Sequence, residues 1–318
     1  MSALASVGVD PLTDFLDGPR ARGAFVLHLQ LARPWSVDIA DDAPLTLMAV
    51  LTGDAWLRPV GHPPTLLHAG DVALVRRGVR YVVADSADRE PDVRIGPGQS
   101  CTGSGGRDLS DEWGIGPRRW GNDPAGGDTM LVGSYLVGAE TGGLLLRALP
   151  EVAAVRAVST PVLDLLVQEA GRTGVAQASV LDRLLDVLLI SVVRAWAESA
   201  PEGEPNWLTA GRDPLVRDAL RLMHARPGDG WTVESLAAAV GTSRAALARR
   251  FTQLVGMPPI AYLSQWRLAL AADLLQDLTL TLSAVSRRVG YATPFSMSAA
   301  FKKQYGVSPQ QYRTAHAG

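Results

Sequence analysis

Reactive side chains are sparse in this chain of 318 residues, which holds five histidines and one cysteine. His28, His62 and His68 fall in the first third, none in His-x-His spacing. A catalytic metal needs about three imidazole or carboxylate ligands. The expectation is therefore no metal, no cofactor and no catalytic residue. Cys101 stands alone, which excludes an internal disulfide framework and a cysteine metal cluster. Among the small polar residues of 96–103 it reads as an accessible loop thiol, a candidate redox group with no lysine or histidine beside it. What remains is the chemistry of cations and apolar contacts. Arg249 carries the fork for a bidentate guanine contact in a major groove, and Ala245 and Ala248 beside it offer close approach or contact with a thymine methyl. Phe295, Ser298 and Ala299 form a second base-facing set, while Ser243, Arg244, Arg250, Thr293, Lys302 and Lys303 suit phosphates.

The elements that must position these groups are written twice. Phe251, Gly256, Pro259 and Tyr262 reappear fifty residues on as Phe301, Gly306, Pro309 and Tyr312. Two copies mark a duplicated unit and are too few for a solenoid. In the first copy Thr232 caps a helix with Val233, Leu236, Ala237 and Val240 at helical spacing, and Gly241 makes the turn. Ser243 then caps a second helix whose inward stripe is Leu247, Phe251 and Leu254. In the second copy Thr281, Leu282, Val285, Val289 and Gly290 repeat the pattern. There Thr293 caps, Pro294 takes the first helical position, and Met297, Phe301 and Tyr305 turn inward. Each copy is a helix-turn-helix. The inward residues are what turn Arg249 and its neighbours outward.

Charge divides along the same line. From 213 onward there are twelve Arg or Lys against six acids, and before it eighteen against twenty-six. An acidic partner for the C-terminal part alone follows from that asymmetry.

Residues 213–313 resemble the DNA-binding domain of the AraC/XylS-type transcription regulators. The resemblance is carried by Leu236 and Ala237, Ser243 and Arg244, Arg249 to Phe251, Gly256, Pro259, Tyr262, Leu263 and Arg267. It continues through Ala271, Ala272, Leu274, Leu275, Gly290, Tyr291, Phe301, Lys302, Lys303, Gly306, Ser308, Pro309, Tyr312 and Arg313. It implies two helix-turn-helix units joined by a long helix over 260–276, with Leu263, Leu270, Leu274 and Leu275 toward the core. The family commonly has arginine where Ala299 stands, so the first unit is expected to specify sequence and the second mainly to anchor.

Residues 1–140 read as β-rich, with short apolar runs at 24–31, 45–51, 55–57, 72–75 and 81–84 between Gly, Pro and Asp clusters. The phrase from Gly70 and Asp71 through Arg76, Gly78 and Tyr81 resembles the second cupin motif. Residues 11–85, including Pro34, Trp35 and the run from Gly53 to Leu57, resemble the cupin-type sensor domain of one branch of these regulators. The motif's proline is Arg76 here, its metal-ligand histidine is Tyr81, and the preceding strand's histidine falls near Met48. Sensing is then the expected role, with Trp35, Met48, Trp56 and Tyr81 lining a mostly apolar cavity and Arg76 or Arg80 as polar anchor. Residues 85–128 read as a long loop, 130–137 as a strand, and 144–150 as the segment that closes the barrel. Residues 161–170 and 180–197 are amphipathic helices, the second apolar over more than one stripe and assigned to a dimer seam. Pro201 to Pro205 has linker composition.

The expected architecture is an α+β multidomain protein. A cupin-like sensor β-barrel over 1–150 and a helical dimerisation segment over 151–205 precede an all-α double helix-turn-helix over 206–318. The resemblance implies a bacterial, sequence-specific DNA-binding regulator, more an activator than a repressor, and not an enzyme. Its expected partners are double-stranded DNA, RNA polymerase, a small-molecule effector or stress signal, and a second copy through 180–197. With neither a long apolar run nor a leader, it reads as cytoplasmic and without a membrane partner. A cupin enzyme fused to a DNA-binding domain and a cysteine-based redox-sensing regulator are the alternatives.

Overall fold

The computed structural model describes residues 25–103, 105–135, 140–158, 161–200 and 205–316. The start of the expected sensor domain and residues 201–204 of the expected linker lie outside the described residues. The chain forms two compact units, one of Arg20–Val137 with Leu149–Ser199, the other of Gly138–Ala148 with Ala200–Gly318.

The first unit is built on strands β1 (Phe25–Leu31), β2 (Ser36–Ile39), β3 (Leu45–Thr52), β4 (Asp54–Pro59), β5 (Thr65–His68), β6 (Val72–Arg76) and β7 (Tyr81–Ala84). They are followed by β8 (Val93–Ile95), β9 (Cys101–Gly103), β10 (Gly114–Gly116), β11 (Arg119–Trp120), β12 (Asp128–Tyr135) and β13 (Val152–Val155). One sheet has the order β10-β11-β1-β12-β3-β6-β13 and the other β5-β4-β7-β2-β8-β9. Alternating residues from both sheets meet in a single core, with Met48, Val50, Ala73 and Val75 from one and Val37, Ala55, Leu57 and Val83 from the other. The expected loop over 85–128 is not one loop. It holds β8 to β11 and the short helix α1 (Ser110–Trp113), segments too brief to show a period in the sequence.

The expectation that 144–150 closes the barrel is also corrected. Residues Glu140–Ala148 form helix α2, which groups with the second unit, and the strand that pairs with β6 is β13. A short leucine run does not distinguish strand from helix. Helices α3 (Pro161–Ala170) and α4 (Gln177–Ser199) complete the first unit. Leu181, Leu185, Leu188, Leu189, Val192 and Val193 of α4 are buried. Gly133 on β12 permits the approach, since a Cβ there would lie 2.7 Å from the Leu185 side chain, and the Tyr135 hydroxyl donates to the Leu185 carbonyl at 2.8 Å. On the opposite face of α4, Val180 and Val187 remain exposed. Among the described residues no helix is long and apolar enough to cross a membrane.

The second unit is helical beyond 205: α5 (Trp207–Ala210), α6 (Pro214–Ala225), α7 (Val233–Ala239), α8 (Arg244–Val255), α9 (Pro259–Leu275), α10 (Leu282–Arg288), α11 (Pro294–Tyr305) and α12 (Pro309–Ala315). The sequence repeat is a structural repeat. Thr232, Ser243, Thr281 and Thr293 all cap their helices, each accepting a backbone N–H with its side-chain oxygen. Gly256 and Gly306 end α8 and α11 in the left-handed conformation. Phe251 meets Tyr262 edge-on at 5.8 Å between centroids, and Phe301 meets Tyr312 likewise at 5.4 Å. The buried stripe of α8 is Leu247, Phe251 and Val255, while Leu254 is half-buried, because a stripe spaced by four selects 255. Arg267 and Arg313, which carried the family resemblance, tie loops by donating to the carbonyls of Pro227 and Asp229 and of Leu275 and Leu280.

Helix α2 joins this unit through α9. The Asp273 carboxylate accepts from the Glu140 N–H at 2.7 Å, the Thr141 N–H at 3.2 Å and the Thr141 hydroxyl at 2.6 Å. The Tyr312 hydroxyl donates to Glu140 at 3.1 Å.

Candidate functional site

Two surfaces could do chemistry, the exposed faces of α8 and α11 and the interior of the barrel. On α8, burial of Leu247 and Phe251 leaves Ala245 and Arg249 exposed and Ala248 half-buried between them. Arg249 enters no ion pair or hydrogen bond among the described residues. Its neighbours are engaged. Arg244 pairs with Glu234 at 2.6 Å, and Arg250 donates to Asp213 at 2.8 Å, the residue whose other oxygen caps α6 by accepting from Val216. The two cations expected at phosphates are thus held by internal carboxylates. The Ser243 hydroxyl accepts from Ala246 and keeps its own proton for donation.

On α11 the equivalents are different in kind. Ala299 stands fifty residues after Arg249, exposed, and Ser298 is half-buried. Phe295 is 83% exposed, and no other Phe, Tyr or Trp among the described residues is exposed. The Thr293 hydroxyl is occupied by Ser296, accepting its N–H and contacting its hydroxyl. Lys302 and Lys303 are exposed, and Lys303 borders an open groove beside Glu140 and Arg147 of α2.

The barrel encloses a cavity of about 190 Å³. Trp35, Met48 and Tyr81 line it, as do Leu27, Leu29, Val37, Met130 and Val132. Trp56 and Arg76 do not. Ala55 and Leu57 point into the core, so Trp56 between them faces outward, half-buried. Val75 points inward, and Arg76 therefore faces out, donating to the Leu149 carbonyl at 2.9 Å. Arg80 is likewise outside the cavity, paired with the buried Asp38. Burial raises the Tyr81 phenol well above its ordinary range. Thioether Met48 and neutral phenol Tyr81 stand where the cupin motif has imidazoles, and they make a poor donor set for a metal. His62 contacts Glu151 at 3.0 Å and His68 contacts Asp54 at 2.7 Å, each with its own carboxylate, and burial, then Arg119, lowers the His28 pKa. Among the described residues no group of three His, Cys, Asp or Glu is placed to hold a metal ion.

Cys101 is the clearest correction. It lies on β9, 4% exposed, and burial, then Asp108, pushes its thiol up, so it is neither loop-borne nor accessible. It faces the cavity instead, as do Asp41, Thr46, Trp120 and Ser134, none of which the sequence reading singled out. The parity of β3 was the available signal for Thr46, which shares a face with Met48.

Comparison with known proteins follows the same division. A family model described as Cupin matches residues 10–198, and one described as Helix-turn-helix domain matches 236–315. A protein of Streptomyces antibioticus described as an AraC-like transcription regulator is 31% identical over 313 residues, covering 96% of this chain and 98% of that one. The RCS-specific HTH-type transcriptional activator RclR of Escherichia coli is 36% identical over 121 residues, 38% of this chain and 42% of that one. The crystal structure of a transcriptional regulator from Chromobacterium violaceum is 28% identical with a TM-score of 0.32, covering 34% of this chain and 96% of that one.

Proposed function

This chain belongs to the AraC-like transcription regulators, DNA-binding proteins whose helix-turn-helix domain here follows a cupin domain, and from that premise we propose how it reads DNA and what controls it. The first helix-turn-helix reads sequence and the second anchors. One observation carries this: at equivalent positions of the two recognition helices stand Arg249, exposed and unpaired among the described residues, and Ala299, whose side chain has no polar atom to offer a base. Arg249 makes the bidentate guanine contact, with Ala245 and Ala248 closing on the groove wall. Phe295 covers a thymine methyl, while Ser298 and Ala299 allow the helix to lie close. Ser243, Lys302 and Lys303 bind phosphates and set the register. Thr293, Arg244 and Arg250 act one step back, holding the capped helices and loops that aim those groups.

Control comes from the barrel. A small-molecule effector seated against Trp35, Met48 and Tyr81 favours one of two arrangements of the protein by binding it more tightly. Residues 180–197 form the dimer seam, supported by the exposed Val180 and Val187 on a helix whose other face is already buried in its own unit. The output is activation, a reading supported by the name of the RclR relative, and RNA polymerase is the further partner.

The test is fluorescence anisotropy of the full-length protein on DNA from upstream of its own gene against random DNA, across a salt series. Much tighter binding to the native DNA, falling steeply with salt, is expected. Equal, salt-insensitive binding to both would sink the proposal.

A further inference from the structure

The cavity wall is asymmetric. Three of its hydroxyl groups gather at one end, where Thr46 is the register partner of Ser134 across β3 and β12, and the Tyr81 hydroxyl hydrogen-bonds Thr46. Asp41, just beyond the end of β2 at Ile39, completes that end, and Ile39 is itself the register partner of Tyr81. Toward the other end the wall is hydrocarbon and indole, with Leu27, Met48, Val132 and Trp35.

Asp41 is the one charged residue on this wall among the described residues. Asp41 is half-buried, and the buried carboxylates of the same unit have been given an arginine: Asp38 has Arg80 and Arg94, Asp71 has Arg156, and Asp128 has Arg33. Asp41 has none among the described residues, and its recorded hydrogen bond is a long one, from the Ala43 N–H at 3.4 Å. Burial, followed by Asp42, raises its pKa. A carboxylate left without a cation on an apolar wall is costly, and a ligand that brings the cation removes that cost.

We propose that the cavity takes a small amphipathic amine, its ammonium against Asp41 and its aromatic or alkyl body between Leu27, Met48 and Val132. The proposal rests on the reading of the barrel as the effector domain. Thr46, Tyr81 and Ser134 supply hydroxyl oxygens that accept the remaining ammonium protons. An apolar cavity of about 150 Å³ holds a benzene, so 190 Å³ fits a single ring with a short side chain.

The experiment is isothermal titration of the full-length protein with 2-phenylethylamine, its uncharged analogue propylbenzene, and the anion phenylacetate. The amine is expected to bind, and its affinity to fall about tenfold or more in Asp41→Asn, while propylbenzene binds both proteins alike and phenylacetate binds the wild type worst. Leu29→Trp, which fills part of the cavity, weakens every probe. Should Asp41→Asn fail to fold, the wild type answers by pH. Acidification through the Asp41 titration releases the amine and spares propylbenzene, because Tyr81 and Cys101, the other titratable groups on the wall, stay neutral there. Equal amine affinity in wild type and Asp41→Asn, or phenylacetate binding best, overturns the amine assignment and leaves the cavity as the site. Binding of none of the probes, or binding that Leu29→Trp does not change, overturns the effector reading itself.

Discussion

Replacing Arg249 with alanine separates sequence reading from charge more cleanly than any other change in this protein. The side chain is exposed on α8 and bonds to nothing among the described residues, so its removal strands no partner there. Alanine is at least as good a helix former as arginine, and stability should move by less than about 0.5 kcal/mol. A bidentate guanine contact is worth about 1–3 kcal/mol, or roughly fivefold to 150-fold in affinity. The adjacent Arg250→Ala serves as the contrast. It breaks the 2.8 Å bond to Asp213, whose side chain is 16% exposed and caps α6, so it should cost roughly 0.2–1 kcal/mol of stability and little discrimination.

The assay begins with selection of a bound sequence from a random pool by the full-length protein. Anisotropy titrations on that site and its single-base variants follow at several salt concentrations. Arg249→Ala should lose affinity on the selected site, flatten discrimination at one base pair, and leave the other positions as they were. Lys302→Ala should instead weaken every sequence alike and reduce the salt slope by about one. If Arg249→Ala behaves as Lys302→Ala does, Arg249 is a phosphate contact and the division of labour between the two units is wrong.

Three other expectations concern the scaffold. Gly241 and Gly290 make equivalent turns at φ 73° and 85°, but a Cβ at Gly290 would lie 2.8 Å from the Pro227 carbonyl while one at Gly241 meets nothing. Gly241→Ala should cost about 1–2 kcal/mol in denaturant unfolding, and Gly290→Ala distinctly more; equal losses would count against the packing argument. Asp38 is held below the ordinary carboxylate range first by Arg80 and also by Arg94. Its contribution is therefore present above the unfolded-state value of about 3.9 and is lost as pH falls through the lower folded value. The difference in urea midpoint between wild type and Asp38→Asn should thus shrink on acidification, and a constant difference from neutral to strongly acid solution would refute the pairing. Val187 is 45% exposed on α4, so Val187→Arg should leave the melting transition within about 0.5 kcal/mol while weakening self-association in sedimentation equilibrium. Unchanged association would remove residues 180–197 as the seam.

The helical unit was legible in the sequence because its signals are local. Thr232 with Ser235, Thr293 with Ser296 and Gly306 after α11 act within a few residues of one another, and the repeat prints the caps again at Thr281 and Ser243 and the glycine at Gly256. The barrel was legible only where a motif phrase supplied the phase. Tyr81 and Met48 were placed on the cavity by that phrase, whereas Trp56, expected there too, faces outward, because Ala55, Trp56 and Leu57 are all apolar and alternation cannot say which parity points inward. Strands of two or three residues such as β8, β9 and β11 are too short to show a parity at all, and Cys101 passed for a loop thiol on that account. Helix α2 shows the other limit, since its N-terminus is satisfied by Asp273, more than a hundred residues away. Asp41 combines the two. In the sequence it is half of an ordinary Asp-Asp turn, and what distinguishes it from Asp38, Asp71 and Asp128 is that no arginine among the described residues pairs with it. A missing long-range partner leaves no trace in a local pattern, which is why the residue that gives the cavity its chemistry emerges only from the fold.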